Sequence, residues 1–78
     1  MAELLDYLAR RLVDDPNAVR VEELDEPDVL VLRLHVAEAD VGKVIGRQGR
    51  IARALRTLVR ASAAREGRRV LVEIADAE

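Results

Sequence analysis

The chain has 78 residues, half of them hydrophobic, with a single tyrosine as its only aromatic, no cysteine and a formal net charge of −2. A chain this short buries only about 60% of its unfolded surface, so stability must come from aliphatic packing, and disulfides and thiolate metal sites are excluded. The net charge hides a segregation: residues 1–40 hold eleven acids against four arginines (a balance of −7), whereas residues 41–78 hold nine bases against four acids (+5).

Leu4, Leu5, Leu8 and Leu12 recur at helical spacing and predict an amphipathic helix over about residues 2–13. Asp14-Asp15-Pro16-Asn17 ends it, because the residue before a proline resists the helical basin. Val19 and Val21 alternate with Arg20 and Glu22, predicting a short strand, and Asp25-Glu26-Pro27-Asp28 reads as a turn. Val29 to Val36 is the strongest strand, with Leu30, Leu32, Leu34 and Val36 on one face and Val29, Val31, Arg33 and His35 on the other. Residues 39–45 have room for about two helical turns, ending at Gly46. A longer helix is predicted from Arg50 to about Arg65, with Ile51, Leu55, Leu58 and Val59 on one arc and Arg50, Arg53, Arg56 and Arg60 roughly opposite. Gly67 is a helix stop, and Val70, Val72 and Ile74 alternate as a last strand.

The order is therefore α-β-β-α-α-β within one domain, residues 1–78. A hairpin joins the first two strands, and a right-handed crossover lets the third pair parallel with the second. The expected class is α+β, a three-stranded mixed sheet with helices on one face. The acidic start lacks the basic region of a signal peptide, and no run approaches the roughly 20 apolar residues of a membrane span. A soluble, cytoplasmic protein is the expectation.

Between the two later helices stands Val44-Ile45-Gly46-Arg47-Gln48-Gly49-Arg50-Ile51. A nucleic-acid backbone approaches a peptide closely only where side chains are absent, so two glycines with basic neighbours suggest a phosphate clamp. Such a turn also aims the free amides at the start of the next helix outward. Lys43, Arg47 and Arg50 can add charge-assisted contacts, Gln48 a flexible donor and acceptor, and Val44 and Ile45 an apolar floor for bases. Taken alone, the loop reads equally as a sharp helix–turn–helix. Two other phosphate motifs fail: a P-loop needs Ser or Thr where Val44 follows Lys43, and a dinucleotide fold needs its glycines straight after a strand.

On this order and on Gly42-Lys43-Val44-Ile45-Gly46-Arg47-Gln48-Gly49-Arg50-Ile51, the whole chain resembles a type II KH domain, and more narrowly the small bacterial KhpA family. The resemblance implies a GXXG loop at Gly46–Gly49 that grips the backbone of about four nucleotides of single-stranded RNA, with a groove between helix and sheet for the bases. It further implies RNA chaperone activity and post-transcriptional regulation, a partner called KhpB or Jag, and a link to cell shape and peptidoglycan regulation.

Other residues read more blandly. The long helix carries no acid between Arg50 and Arg65, which favours attraction of RNA over mere solubility; Arg53 joins Arg50 as nearest the loop. Lone His35 and the pairs Asp14-Asp15 and Glu22-Glu23 form no ligand cluster, and Ser62 and Thr57 have no histidine near in sequence, so neither metal, cofactor nor catalysis is expected. With Tyr7 away from the loop, no stacking platform exists, so affinity for RNA should be weak and salt-dependent. Val29, Val31 and Leu71 fall on the uncovered sheet face, which predicts a homodimer or a protein partner. The rival to RNA binding is a protein–protein adaptor that keeps the fold.

Overall fold

A computed structural model describes residues 1–75; Asp76 and Glu78, counted in the charge of the basic half, lie outside the described residues. The leucine stripe forms α1 (Ala2–Leu12), whose Leu5 and Ala9 are fully buried. It ends with the last leucine of its stripe, one residue short of the expected span, because Val13 turns extended (φ −94°, ψ 162°) ahead of a short 3-10 turn at Pro16–Ala18. Arg10 fastens this turn: its guanidinium bonds Asp6 on the preceding helical turn and donates to Pro16 O at 3.0 Å.

β1 (Arg20–Asp25) and β2 (Leu30–His35) pair antiparallel, from Arg20 opposite His35 to Asp25 opposite Leu30. β1 is longer than its alternation suggested, since pairing with β2 carries Glu23, Leu24 and Asp25 into the ladder. The reversal tightens to Glu26–Val29, closed by the Glu26 amide on Val29 O at 3.0 Å. A 3-10 turn at Glu38–Asp40 leads into a single-turn α2 (Val41–Ile45), so the segment read as two helical turns is half 3-10 in character. After the glycine loop comes α3 (Arg50–Arg65), and then β3 (Val70–Ile74), parallel to β2. Gly67, at φ +69°, makes the expected helix stop. The sheet order β1-β2-β3 and the mixed pairing are those expected of the α-β-β-α-α-β fold.

One face of the sheet carries the core. Leu30, Leu32, Leu34, Val36, Val70 and Val72 meet Leu5 and Ala9 of α1, Val44 of α2, and Leu55, Val59 and Ala63 of α3. Fully burying a leucine or valine contributes about 1.5–3 kcal/mol, and this cluster is what holds a chain without cross-links. The other face differs from expectation. Register places Val31 between Leu24 and Leu71, and Val31 is only 7% exposed, leaving Leu71 as the open apolar residue of that row. The next row alternates Glu22, Arg33 and Glu73, with Arg33 bonded to Glu73 at 3.1 Å. His35 sits 3.1 Å from Glu22, which holds that carboxyl below its usual range with help from Arg33. Among the described residues no helix is long and apolar enough to cross a membrane.

Candidate nucleic-acid interface

The loop takes its shape from three residues of positive φ. Gly46 has φ +77° and ψ 172°, Gln48 φ +60° and ψ 23°, and Gly49 φ +73° and ψ 16°. A β-carbon on Gly46 would stand 2.7 Å from Ile51 Cγ1 and 3.0 Å from Ile51 N, so the glycine allows α2 to press against the start of α3. A β-carbon on Gly49 would meet nothing within 4 Å. The first glycine is demanded by packing; the second leaves the outer side of the turn open.

Between them, Arg47 and Gln48 are exposed at the tip. Gly49 N–H donates to Gly46 O at 3.1 Å and the Arg50 amide to Arg47 O, so the amides of Arg47 and Gln48 have no acceptor within this turn. Gln48 in the left-handed region costs on the order of 1 kcal/mol. Arg53 Nη2 donates to Gln48 O at 2.9 Å and offsets part of that cost. Arg50 lies 3.5 Å from Gln48 Oε1, so the first two arginines of the stripe both turn back towards the loop.

The structure divides the remaining expected site residues. Ile45 is half-buried beside the loop, but Val44 is fully buried in the core. Of the two residues expected as an apolar floor, only Ile45 remains accessible, because the single turn of α2 points successive residues in different directions. Lys43 is committed within the chain: its Nζ lies 3.0 Å from Asp14 Oδ2 and 3.4 Å from Asp40 Oδ1. Both carboxylates raise its pKa. Lys43 thus holds α2 to the end of α1, and its charge is already matched.

Asp40 is the residue that sequence reasoning missed. It is 2% exposed, and it accepts the amides of Asp14 at 3.2 Å and Asp15 at 3.1 Å. Burial opposes its ionisation, yet the two amides and Lys43 outweigh burial and lower its pKa below the ordinary 3.8. Its spacing of three from Lys43 was the available signal. Because folding favours the ionised form, the stability Asp40 contributes is complete above about pH 4 and is lost as pH falls through the depressed folded value. Glu22 adds to the same acid limb. Asp40→Asn is expected to lower the thermal midpoint at pH 7 by on the order of 5–10 °C. The variant's midpoint should also change less between pH 7 and pH 3 than the parent's, read by circular dichroism; an equal change would assign the acid limb elsewhere.

Beyond the loop, α3 runs beside the open edge of β3. One cleft of about 620 Å³ is lined by Arg33, Arg56, Arg60 and the residues Leu71 to Ala75. A second, of about 600 Å³, shares Arg60 and Leu71 and ends at Arg68 and Arg69. Arg56 differs from its neighbours on the stripe, for its Nε donates to Val72 O at 3.2 Å.

Residues 2–74 match the family model described as KhpA/KhpB, KH domain. The chain is 53% identical over 74 residues to the RNA-binding protein KhpA of Caldanaerobacter subterraneus subsp. tengcongensis, covering 95% of this chain and 99% of that one. It is 50% identical, with the same coverage, to the RNA-binding protein KhpA of Clostridium acetobutylicum. Among solved structures it resembles Era crystallised with MgGDPNP and nucleotides 1506–1542 of 16S ribosomal RNA, with a TM-score of 0.63 and 21% identity. That match covers 94% of this chain and 28% of the Era chain, a likeness of fold.

Proposed function

This chain belongs to the KhpA/KhpB KH-domain family, and from that premise we propose that it binds single-stranded RNA without catalysing a reaction. One observation carries the reading: at the tip of the Gly46–Gly49 turn the space beside Gly49 is open, where a phosphate can meet the amides of Arg47 and Gln48. Gly46 and Gly49 permit the approach, Arg47, Gln48, Arg50 and Arg53 supply polar contacts, and Ile45 supplies the apolar floor. Lys43 acts by positioning α2. The proposal extends to RNA chaperone activity and post-transcriptional regulation in the cytoplasm, with a KhpB/Jag-type partner or a second copy, in the control of cell shape and the cell wall. A protein contact is favoured separately by Leu58, 50% exposed on α3, and Leu71, 41% exposed.

A fluorescently labelled single-stranded RNA titrated at two salt concentrations tests the reading. A grip on about four phosphates predicts a slope of log affinity against log salt near −3, from roughly −0.7 per contact. Absence of binding at low salt would leave the protein–protein adaptor as the better account.

A further inference from the structure

Arg56 is held in a way that a phosphate clamp at the loop does not use. The Leu30 amide donates to Arg69 O and the Ala75 amide to Leu34 O. Alternation along β3 therefore turns the peptide groups of Val70, Val72 and Ile74 towards the open edge of the sheet. Arg56 reaches across from α3 and fixes its Nε on the Val72 carbonyl of that edge. No hydrogen bond or ion pair of its two terminal nitrogens is found among the described residues, and they border the cleft shared with Arg33, Arg60 and Glu73. A planar guanidinium with one side anchored presents the remaining N–H groups as a fork of fixed direction. Arg60, exposed one turn further on, has no such anchor among the described residues.

Resting on the RNA-binding reading above, we propose that Arg56 is a specificity-determining residue whose terminal nitrogens read a paired acceptor edge of a base seated beside β3, favouring guanine over adenine. Guanine offers O6 and N7 side by side, both acceptors. Adenine keeps N7 but replaces O6 with an amino group, setting donor against donor. An unstacked base in single-stranded RNA exposes this edge freely. Arg56 stands seven residues beyond Gly49, about 10 Å along the helix axis, so a strand gripped at the loop can deliver a base to it.

The test uses two labelled RNAs of eight nucleotides, all uridine except for one central guanine or one central adenine, titrated against the protein and its Arg56→Lys and Arg60→Lys variants. The unmodified protein is expected to bind the guanine RNA roughly 5- to 10-fold tighter, the lower range for one bidentate contact in an open cleft. Arg56→Lys keeps the charge and the salt dependence but loses the fork, and should bind both RNAs alike. Arg60→Lys should preserve the preference. Arg56→Gln, which keeps a donor for Val72 O without a fork, should equalise the two RNAs in the same way and guards against poor folding of the lysine variant. Equal binding of both RNAs by the unmodified protein overturns the assignment, as does a preference that survives in Arg56→Lys and Arg56→Gln. An equal loss for both RNAs in those variants, with the preference intact, would make Arg56 a phosphate contact. Failure to bind either RNA at low salt would instead remove the RNA-binding reading itself.

Discussion

Gly46→Ala is expected to destabilise the domain by about 2–4 kcal/mol, combining the cost of a side chain at this backbone angle with that of overpacking. The added methyl would stand 2.7 Å from Ile51 Cγ1 and 3.0 Å from both Ile51 Cβ and Ile51 N. Neither the β-carbon nor the backbone nitrogen can rotate away, so relief requires α2 and α3 to separate. In a domain of this size the loss lowers the thermal midpoint by at least about 10 °C. Gly49→Ala is the matched comparison. It shares a positive φ but would place its methyl in open space, so only about 1 kcal/mol is expected from the left-handed backbone. Its effect on RNA should be the larger of its two effects, because the methyl would fill the space where the proposed clamp receives a phosphate. Thermal unfolding and RNA titration of both variants separate these roles. Equal destabilisation by the two substitutions would show that the contact with Ile51 is not what demands the first glycine.

What the sequence disclosed, it disclosed through periodicity and punctuation. The alternation of Leu30, Leu32, Leu34 and Val36 located the buried face of β2, and all four are buried. The 3.6-residue spacing of Leu55 and Val59 oriented α3, and the pair Gly46 and Gly49 marked the loop. Features that depend on partners distant in the chain were not legible. Lys43 is drawn to Asp14 across the junction of α1 and α2, which no local pattern announces. Val31 counted as open surface until register set it between Leu24 and Leu71. Val44 and Ile45 are adjacent and alike, and only tertiary packing decides that the first is core and the second stays partly exposed. Arg53 and Arg56 read as one charged stripe, yet one bonds the carbonyl of Gln48 and the other the edge of β3. Helical spacing groups residues on a face; it does not say what each long side chain will reach.

Replacing both Arg47 and Gln48 by aspartate is expected to weaken RNA binding by at least about 100-fold at low salt while leaving the domain folded. The exchange removes a cation and sets two anions beside the amides that would receive the phosphate. Opposite or like unit charges about 4 Å apart interact by roughly 1 kcal/mol in water and more where solvent is partly excluded. Reversing Arg47 and adding a charge at Gln48 changes the clamp by three unit charges, which at roughly 1 kcal/mol each reaches about 2.7 kcal/mol, the equivalent of that 100-fold loss. The fold should tolerate the exchange, since both side chains are exposed and the packing glycine is untouched. The left-handed backbone at Gln48 suits aspartate better than glutamine, and Arg50 and Arg53 stand ready to pair with the new carboxylate. Residual binding, carried by the arginines of α3, should show a shallower salt dependence than the parent's. Circular dichroism establishes that the variant is folded, and RNA titration supplies the comparison. A folded variant that binds RNA as the parent does would place the interaction away from the loop. The open turn would then be no more than a hinge between two helices, and the exposed Leu58 and Leu71 would become the surfaces to pursue.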